Sequence, residues 1–135
     1  MTTRRKRILI VEDETALARL VEWQLQSAGF DSRAVATGHE ALAVATEHWP
    51  DLVVLDLRLP DMSGYDICRQ LRSMASPWEL PVLMLTALDQ PIDQLRGYAF
   101  GADAYMTKPF DPSELVKTAC SLLGESSPTQ SLEHD

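Results

Sequence analysis

The chain has 135 residues, 45% of them hydrophobic, which suits one domain with a real core and leaves little room for a second. Twenty acidic residues against twelve basic ones give a net charge of −8, which repels a phosphate backbone and argues against direct nucleic-acid binding. No stretch approaches the roughly 20 apolar residues of a membrane helix, and no apolar signal core follows the basic start, so no membrane contact and a cytoplasmic location are expected.

Residues 1–6 form a basic lead-in, read as solvated. Ile8-Leu9-Ile10-Val11 is a continuous apolar run, the pattern of a strand covered on both faces in a parallel sheet. It ends in Glu12-Asp13, with Glu14 next. Leu17, Leu20, Val21, Leu25 and Ala28 then recur at helical spacing until Gly29 stops them. Asp31 to Ala36, with Val35 its main apolar residue, is a weaker strand. Thr37 and Glu40 have capping-box spacing and open a helix with the stripe Ala41, Val44, Ala45, His48. Leu52-Val53-Val54-Leu55 is the third strand and ends in Asp56. Ser63 and Asp66 mark the start of a helix carrying Ile67, Leu71 and Met74. Val82-Leu83-Met84-Leu85 is the fourth strand and ends in Thr86. Pro91 suits a first helical position, and Ile92, Leu95, Arg96 and Ala99 form the stripe that follows. Ala104-Tyr105-Met106 is a weak fifth strand before Lys108-Pro109. Asp111-Pro112-Ser113-Glu114 opens the last helix, with Leu115, Val116, Ala119, Leu122 and Leu123 on its apolar side and Gly124 closing it. Residues 125–135 lack periodicity and are expected to form a disordered tail, leaving residues 7–124 as the domain.

A β-α unit repeated five times predicts a parallel sheet with helices on both faces and right-handed crossovers. Ligands in such sheets bind beyond the carboxyl ends of the strands. Those ends present Glu12, Asp13, Asp56, Thr86 and Lys108. In the strand order 2-1-3-4-5 the first and third strands are neighbours, which brings Glu12, Asp13 and Asp56 within reach of one ion. Clustered carboxylates repel one another unless a cation is present. Mg²⁺ takes oxygen ligands and would hold them ionised. Asp56 can then act as a nucleophile toward phosphorus. Lys108 would neutralise charge on the transferring oxygens, and the Thr86 hydroxyl would donate a hydrogen bond to one. Taken singly, each residue has a plain reading: a helix start, a turn, a solvated lysine. Together at four strand ends they point to one site. A cis Lys108–Pro109 bond could aim Lys108 into it, but the isomer is not readable from sequence.

Cys68 and Cys120 lie far apart in helical patterns and read as buried or half-buried thiols rather than a disulfide or metal pair. Trp23, Trp49 and Trp78 read as packing residues at element ends. His39, His48 and His134 lack ligand partners at useful spacing and read as surface or packing residues.

From about Arg7 to Leu123 the sequence resembles the receiver domain of bacterial two-component response regulators. The matching segments are ILIVEDE at 8–14, DLVVLDLRLPDMSG at 51–64, PVLMLTA at 81–87 and GADAYMTKPF at 101–110. The resemblance implies a flavodoxin-like (βα)5 three-layer sandwich. It implies Asp56 as phosphoacceptor, Asp13 as a direct Mg²⁺ ligand, Glu12 assisting, and the backbone carbonyl of Arg58 as a further ligand. It implies that Thr86 and Lys108 contact the phosphoryl group and that Tyr105 turns inward as Thr86 is drawn toward it. The implied donor is the phosphohistidine of a sensor histidine kinase or histidine phosphotransfer protein. The implied signalling surface is the fourth helix, fifth strand and fifth helix, used toward an effector, an output domain or a homodimer partner.

The acidic pair departs from the commonest pattern in being Glu-Asp. The resemblance implies that the places held by Arg58 and Leu88 influence hydrolysis of the aspartyl phosphate, and neither residue offers a carboxamide or carboxylate to orient water. Two other readings use the same residues. A haloacid-dehalogenase-type phosphohydrolase also carries an aspartate after a strand, but its second acidic residue would fall at Arg58. A degenerate receiver would bind partners constitutively, against which stands the full set of phosphorylation residues.

Overall fold

The computed structural model describes residues 4–74 and 80–125. Trp78, His134 and most of the tail lie outside the described residues. The strands are β1 (Arg7–Val11), β2 (Asp31–Val35), β3 (Leu52–Leu55), β4 (Val82–Thr86) and β5 (Ala104–Thr107). The helices are α1 (Thr15–Ser27), α2 (Gly38–Glu47), α3 (Gly64–Met74), α4 (Pro91–Ala99) and α5 (Pro112–Leu123). They alternate along the chain, and the sheet is parallel with the order β2-β1-β3-β4-β5. This is the expected flavodoxin-like arrangement. No helix among the described residues is long and apolar enough to cross a membrane.

The continuous apolar runs are strands because both sheet faces are covered. Every residue of β3 and β4 is buried. Alternate side chains then feed two cores. Leu9, Val11, Val53, Leu55, Val82 and Met84 meet Ala41, Ala45, Ile67 and Leu71 on one side. Ile8, Ile10, Leu52, Val54, Leu83 and Leu85 meet Val21, Leu25, Leu115 and Ala119 on the other. In register, Ile10 lies beside Val54, and Val11 beside Leu55. The next residues along both strands are Glu12 and Asp56, so their placement side by side follows directly from β1–β3 pairing.

Local signals fix the helix ends. The Thr37 hydroxyl accepts from the Glu40 N–H at 3.1 Å. Asp111 caps α5 through the Ser113 N–H at 2.9 Å. Gly124 ends α5 in the left-handed conformation at φ 69°, where a side chain would be strained. Cys68 and Cys120 are both free and buried, as their helical contexts suggested.

Several apolar residues face away from the core the periodicity assigned them to. Leu20 and Trp23 are exposed on α1, whose buried stripe is Ala18, Val21 and Leu25. Met74 is exposed at the end of α3. The α4 stripe is the largest departure. Ile92 and Leu95 are 57% and 67% exposed, and Gly97 is the buried residue of that helix. A Cβ on Gly97 would stand 2.8 Å from the Tyr105 ring and 3.0 Å from Met84 Sδ. The helix thus meets the sheet through its backbone, and its larger apolar side chains are turned outward. Trp49 is partly buried against the core, as read, whereas Trp23 is not a packing residue.

Candidate functional site

The site is assembled at the carboxyl edge of the sheet. The Glu12 N–H donates to Val35 O at 3.0 Å and the Asp56 N–H to Val11 O at 3.0 Å, so sheet pairing extends to both acidic residues. Glu12 and Asp56 are buried, at 4% and 6% exposure, while Asp13 is open to solvent. One carboxylate oxygen from each of Glu12, Asp13 and Asp56 falls within a group spanning 4.8 Å or less.

Lys108 comes from 96 positions further along than Glu12 and closes the site. Its ammonium donates to Asp56 Oδ2 at 3.0 Å and to Glu12 Oε1. The Lys108 N–H donates to Thr86 O at 2.8 Å, which ties the end of β5 to the end of β4, and the Lys108–Pro109 bond is cis. The other Asp56 oxygen accepts from the Arg58 N–H at 3.2 Å, which sets the Arg58 backbone beside the carboxylate while its side chain is exposed. Glu12 Oε2 accepts from the Glu14 N–H at 3.1 Å.

Burial pushes the Glu12 carboxyl above its ordinary pKa, and the Asp56 charge adds to this against the opposing hydrogen bonds of Lys108 and Glu14. For Lys108, burial alone would disfavour the ammonium; hydrogen bonds to Glu12 and Asp56 outweigh it and raise the pKa. A locked cation thus offsets part of the negative charge. Three carboxylates against one ammonium still leave an excess that a divalent cation would cancel. The donors are all hard oxygens, as Mg²⁺ prefers, and one of the three carboxylates faces water, which suits an ion that keeps part of its hydration shell.

Thr86 is fully buried at the end of β4, and its hydroxyl oxygen accepts from the Leu88 N–H at 3.3 Å. Tyr105 is half-buried, and its hydroxyl donates to Leu88 O at 2.7 Å. Leu88 therefore links Thr86 to Tyr105 through its own backbone. Burial, reinforced by the charges around it, pushes the Tyr105 phenol up to about 12. A groove of about 290 Å³ opens at the opposite edge of the sheet, lined by Arg7, Arg33, Val44 and His48 among others, and none of the site residues borders it.

All the residues expected from sequence at the strand ends lie at this edge. Glu12, Asp13, Asp56 and Lys108 come together directly, and Thr86 and Tyr105 connect through Leu88. Sequence reasoning did not find three contacts: the Lys108–Glu12 ion pair, the Leu88 link, and the carboxylate of Asp61, which accepts from the Gly38 and His39 N–H groups at the start of α2. The first two depend on side-chain reach across strands. The third had a visible signal, an aspartate in a short loop, but no sequence clue to its partner.

The chain matches the model of the response regulator receiver domain over residues 8–119. It is similar to the alkaline phosphatase synthesis transcriptional regulatory protein PhoP of Bacillus subtilis, at 39% identity over 96% of this chain and 55% of the relative. It is also similar to the DNA-binding response regulator MtrA of Mycobacterium tuberculosis, at 45% identity over 86% of this chain and 50% of the relative. The chain thus spans about half the length of the curated relatives it matches. Among solved structures, the chemotaxis response regulator CheY4 of Vibrio cholerae superposes with a TM-score of 0.83 at 32% identity, covering 89% of this chain and 100% of that one. The non-phosphorylated HemR receiver domain of Leptospira biflexa gives 0.82 at 32% identity, covering 92% and 98%.

Proposed function

Because the chain belongs to the response regulator receiver domain family, we propose that it accepts a phosphoryl group on Asp56 in a Mg²⁺-dependent reaction and so switches a partner-binding surface. The observation that carries this reading is the grouping of Glu12, Asp13 and Asp56 within 4.8 Å, with Lys108 Nζ at 3.0 Å from the Asp56 carboxylate. The donor is the phosphohistidine of a sensor kinase or phosphotransfer protein. Asp56 forms a new O–P bond as the P–N bond to the donor imidazole breaks, and the electron pair leaves with the imidazole. Lys108 and the Thr86 hydroxyl, which still has its O–H to donate, hydrogen-bond to the phosphoryl oxygens. Glu12, Asp13, Asp56 and the Arg58 carbonyl would hold Mg²⁺, which when bound neutralises charge on the transferring group.

Movement of Thr86 toward the phosphoryl group breaks its bond with the Leu88 N–H, and Leu88 in turn holds the Tyr105 hydroxyl. This gives Tyr105 a route to respond to Asp56. The responsive surface is α4-β5-α5, where Ile92, Leu95 and Tyr98 stand exposed. A downstream effector, an output domain in a longer chain or a second copy would dock there. We place the protein in the cytoplasm, as a signalling phosphoacceptor rather than a turnover enzyme, and assign this domain no direct nucleic-acid or membrane contact. Arg58 and Leu88 present no carboxamide or carboxylate to orient a hydrolytic water, so the aspartyl phosphate should persist on the order of minutes or longer.

Mass spectrometry after acetyl phosphate plus Mg²⁺ tests the reading. The wild type should gain one phosphoryl group, and Asp56→Asn should gain none while folding normally. Uptake retained in Asp56→Asn would remove the assignment. Lys108→Ala should still bind Mg²⁺ but lose transfer or switching. Multiple turnovers on generic phosphoesters would instead favour a phosphohydrolase.

A further inference from the structure

The segment between β3 and α3 starts at Asp56 and carries Arg58, whose N–H donates to the Asp56 carboxylate at 3.2 Å. Its base is closed by its own backbone. The Gly64 N–H donates to Leu57 O at 3.0 Å, Arg58 bridges to Ser63, and Gly64 has no room for a Cβ against the Asp56 carbonyl. Its outer part is held elsewhere. Asp61 Oδ1 accepts from the Gly38 N–H at 2.8 Å, and Oδ2 accepts from the His39 N–H at 2.9 Å. The His39 ring nitrogen Nδ1 lies 2.5 Å from the same Oδ2.

Gly38 and His39 are the first two residues of α2, whose N–H groups have no partner within the helix. Thr37 uses its hydroxyl on Glu40. The start of α2 therefore has two caps, a local one from Thr37 and a remote one from Asp61. The neighbour of Asp61 strengthens the joint. A Cβ on Gly38 would collide with the Met62 side chain and stand 2.9 Å from Ile67 Cδ1. The absence of that atom lets the loop seat flush on the helix. The amides of Gly38 and His39 hold the Asp61 carboxyl down to about 2, so it is an anion at the positive end of α2 at any physiological pH.

We propose that Asp61 is a positioning residue: by clasping the β3–α3 loop to the N-terminus of α2, it holds the Arg58 carbonyl where a divalent cation beside Asp56 can use it. The proposal rests on the reading of Glu12, Asp13, Asp56 and Arg58 as the metal site. A plain capping role would make Asp61 and Thr37 equivalent, since both serve the first turn of α2. A positioning role separates them, because Asp61 alone also holds the loop.

The test is a Mg²⁺ titration of the unphosphorylated full chain, followed by backbone amide NMR shifts. Asp61→Ala should raise the Mg²⁺ dissociation constant roughly tenfold, the lower range for loss of a group that orients a metal ligand. Asp61→Asn keeps one acceptor and should give a smaller rise than the alanine variant; it carries the test if the alanine variant does not fold. Thr37→Ala should stay within about twofold of wild type while still lowering the thermal midpoint through its lost cap. Amide exchange at Arg58 and Gly64 should quicken in the Asp61 variants and not in Thr37→Ala. Wild-type Mg²⁺ affinity in the Asp61 variants overturns the proposal, as does an equal loss in Thr37→Ala. A wild type that binds no Mg²⁺ removes the metal reading and this inference together.

Discussion

α4 and α5 follow neighbouring strands and read alike in the sequence, yet they are held to the sheet by different means. α5 is anchored along its length. Leu115, Ala119 and Cys120 are buried, Asp111 caps its start and Gly124 closes its end. α4 buries only Gly97, and Ile92, Leu95 and Tyr98 face outward. Burial of one leucine side chain stabilises by about 1.5–3 kcal/mol, and α4 gains this from none of its larger apolar residues. Its close contact is instead with the Tyr105 ring, whose hydroxyl rests on Leu88. The helix with the fewest buried side chains thus lies beside Tyr105, the residue proposed to respond to Asp56, while α5 completes the same proposed surface from a firmer seat. Regions that must move are drawn from the less stable parts of a fold.

The contrast yields graded expectations. Leu115→Ala should cost most, about 2–5 kcal/mol by denaturant unfolding, because it opens a cavity in a closed core. Gly97→Ala should cost about 1 kcal/mol, since overpacking against Tyr105 outweighs the gain in helix propensity. Tyr105→Phe removes the bond to Leu88 O and should cost about 0.5–1.5 kcal/mol. It should also change the alkaline limb of stability. The folded phenol titrates near 12, above its usual 10, so the wild type's contribution is full below pH 10 and lost as pH rises toward 12. Phenylalanine abolishes that loss, which a series of unfolding curves between pH 9 and 12 would register. Leu95→Ala should be smallest, within about 0.5 kcal/mol, as expected for an exposed side chain. A Leu95→Ala variant as damaged as Leu115→Ala would erase the distinction between the two helices.

The same pair shows what sequence patterning can and cannot report. Apolar residues at helical spacing announce that a helix has an apolar face. They do not say whether that face meets the core. For α5 the expected residues Leu115 and Ala119 are buried; for α4 Ile92 and Leu95 are not. The site was more legible than the helices because strand ends are counted from continuous runs. The runs ending at Val11 and Leu55 put Glu12 and Asp56 at the same level once the strands pair. Asp61 was missed for the opposite reason. Its partners at Gly38 and His39 lie more than 20 positions earlier, and no local spacing links them.

The order of strands and helices, the caps at Thr37, Asp111 and Gly124, and the identity of the groups at the sheet edge were already determined by the linear chain, because each depends on neighbours a few residues away. Tertiary structure alone decided that Lys108 reaches both Glu12 and Asp56, that Leu88 joins Thr86 to Tyr105, and that α4 turns its apolar side chains to solvent. Those outcomes depend on distances between segments remote in sequence, which backbone pairing and side-chain volume set only once the sheet is assembled.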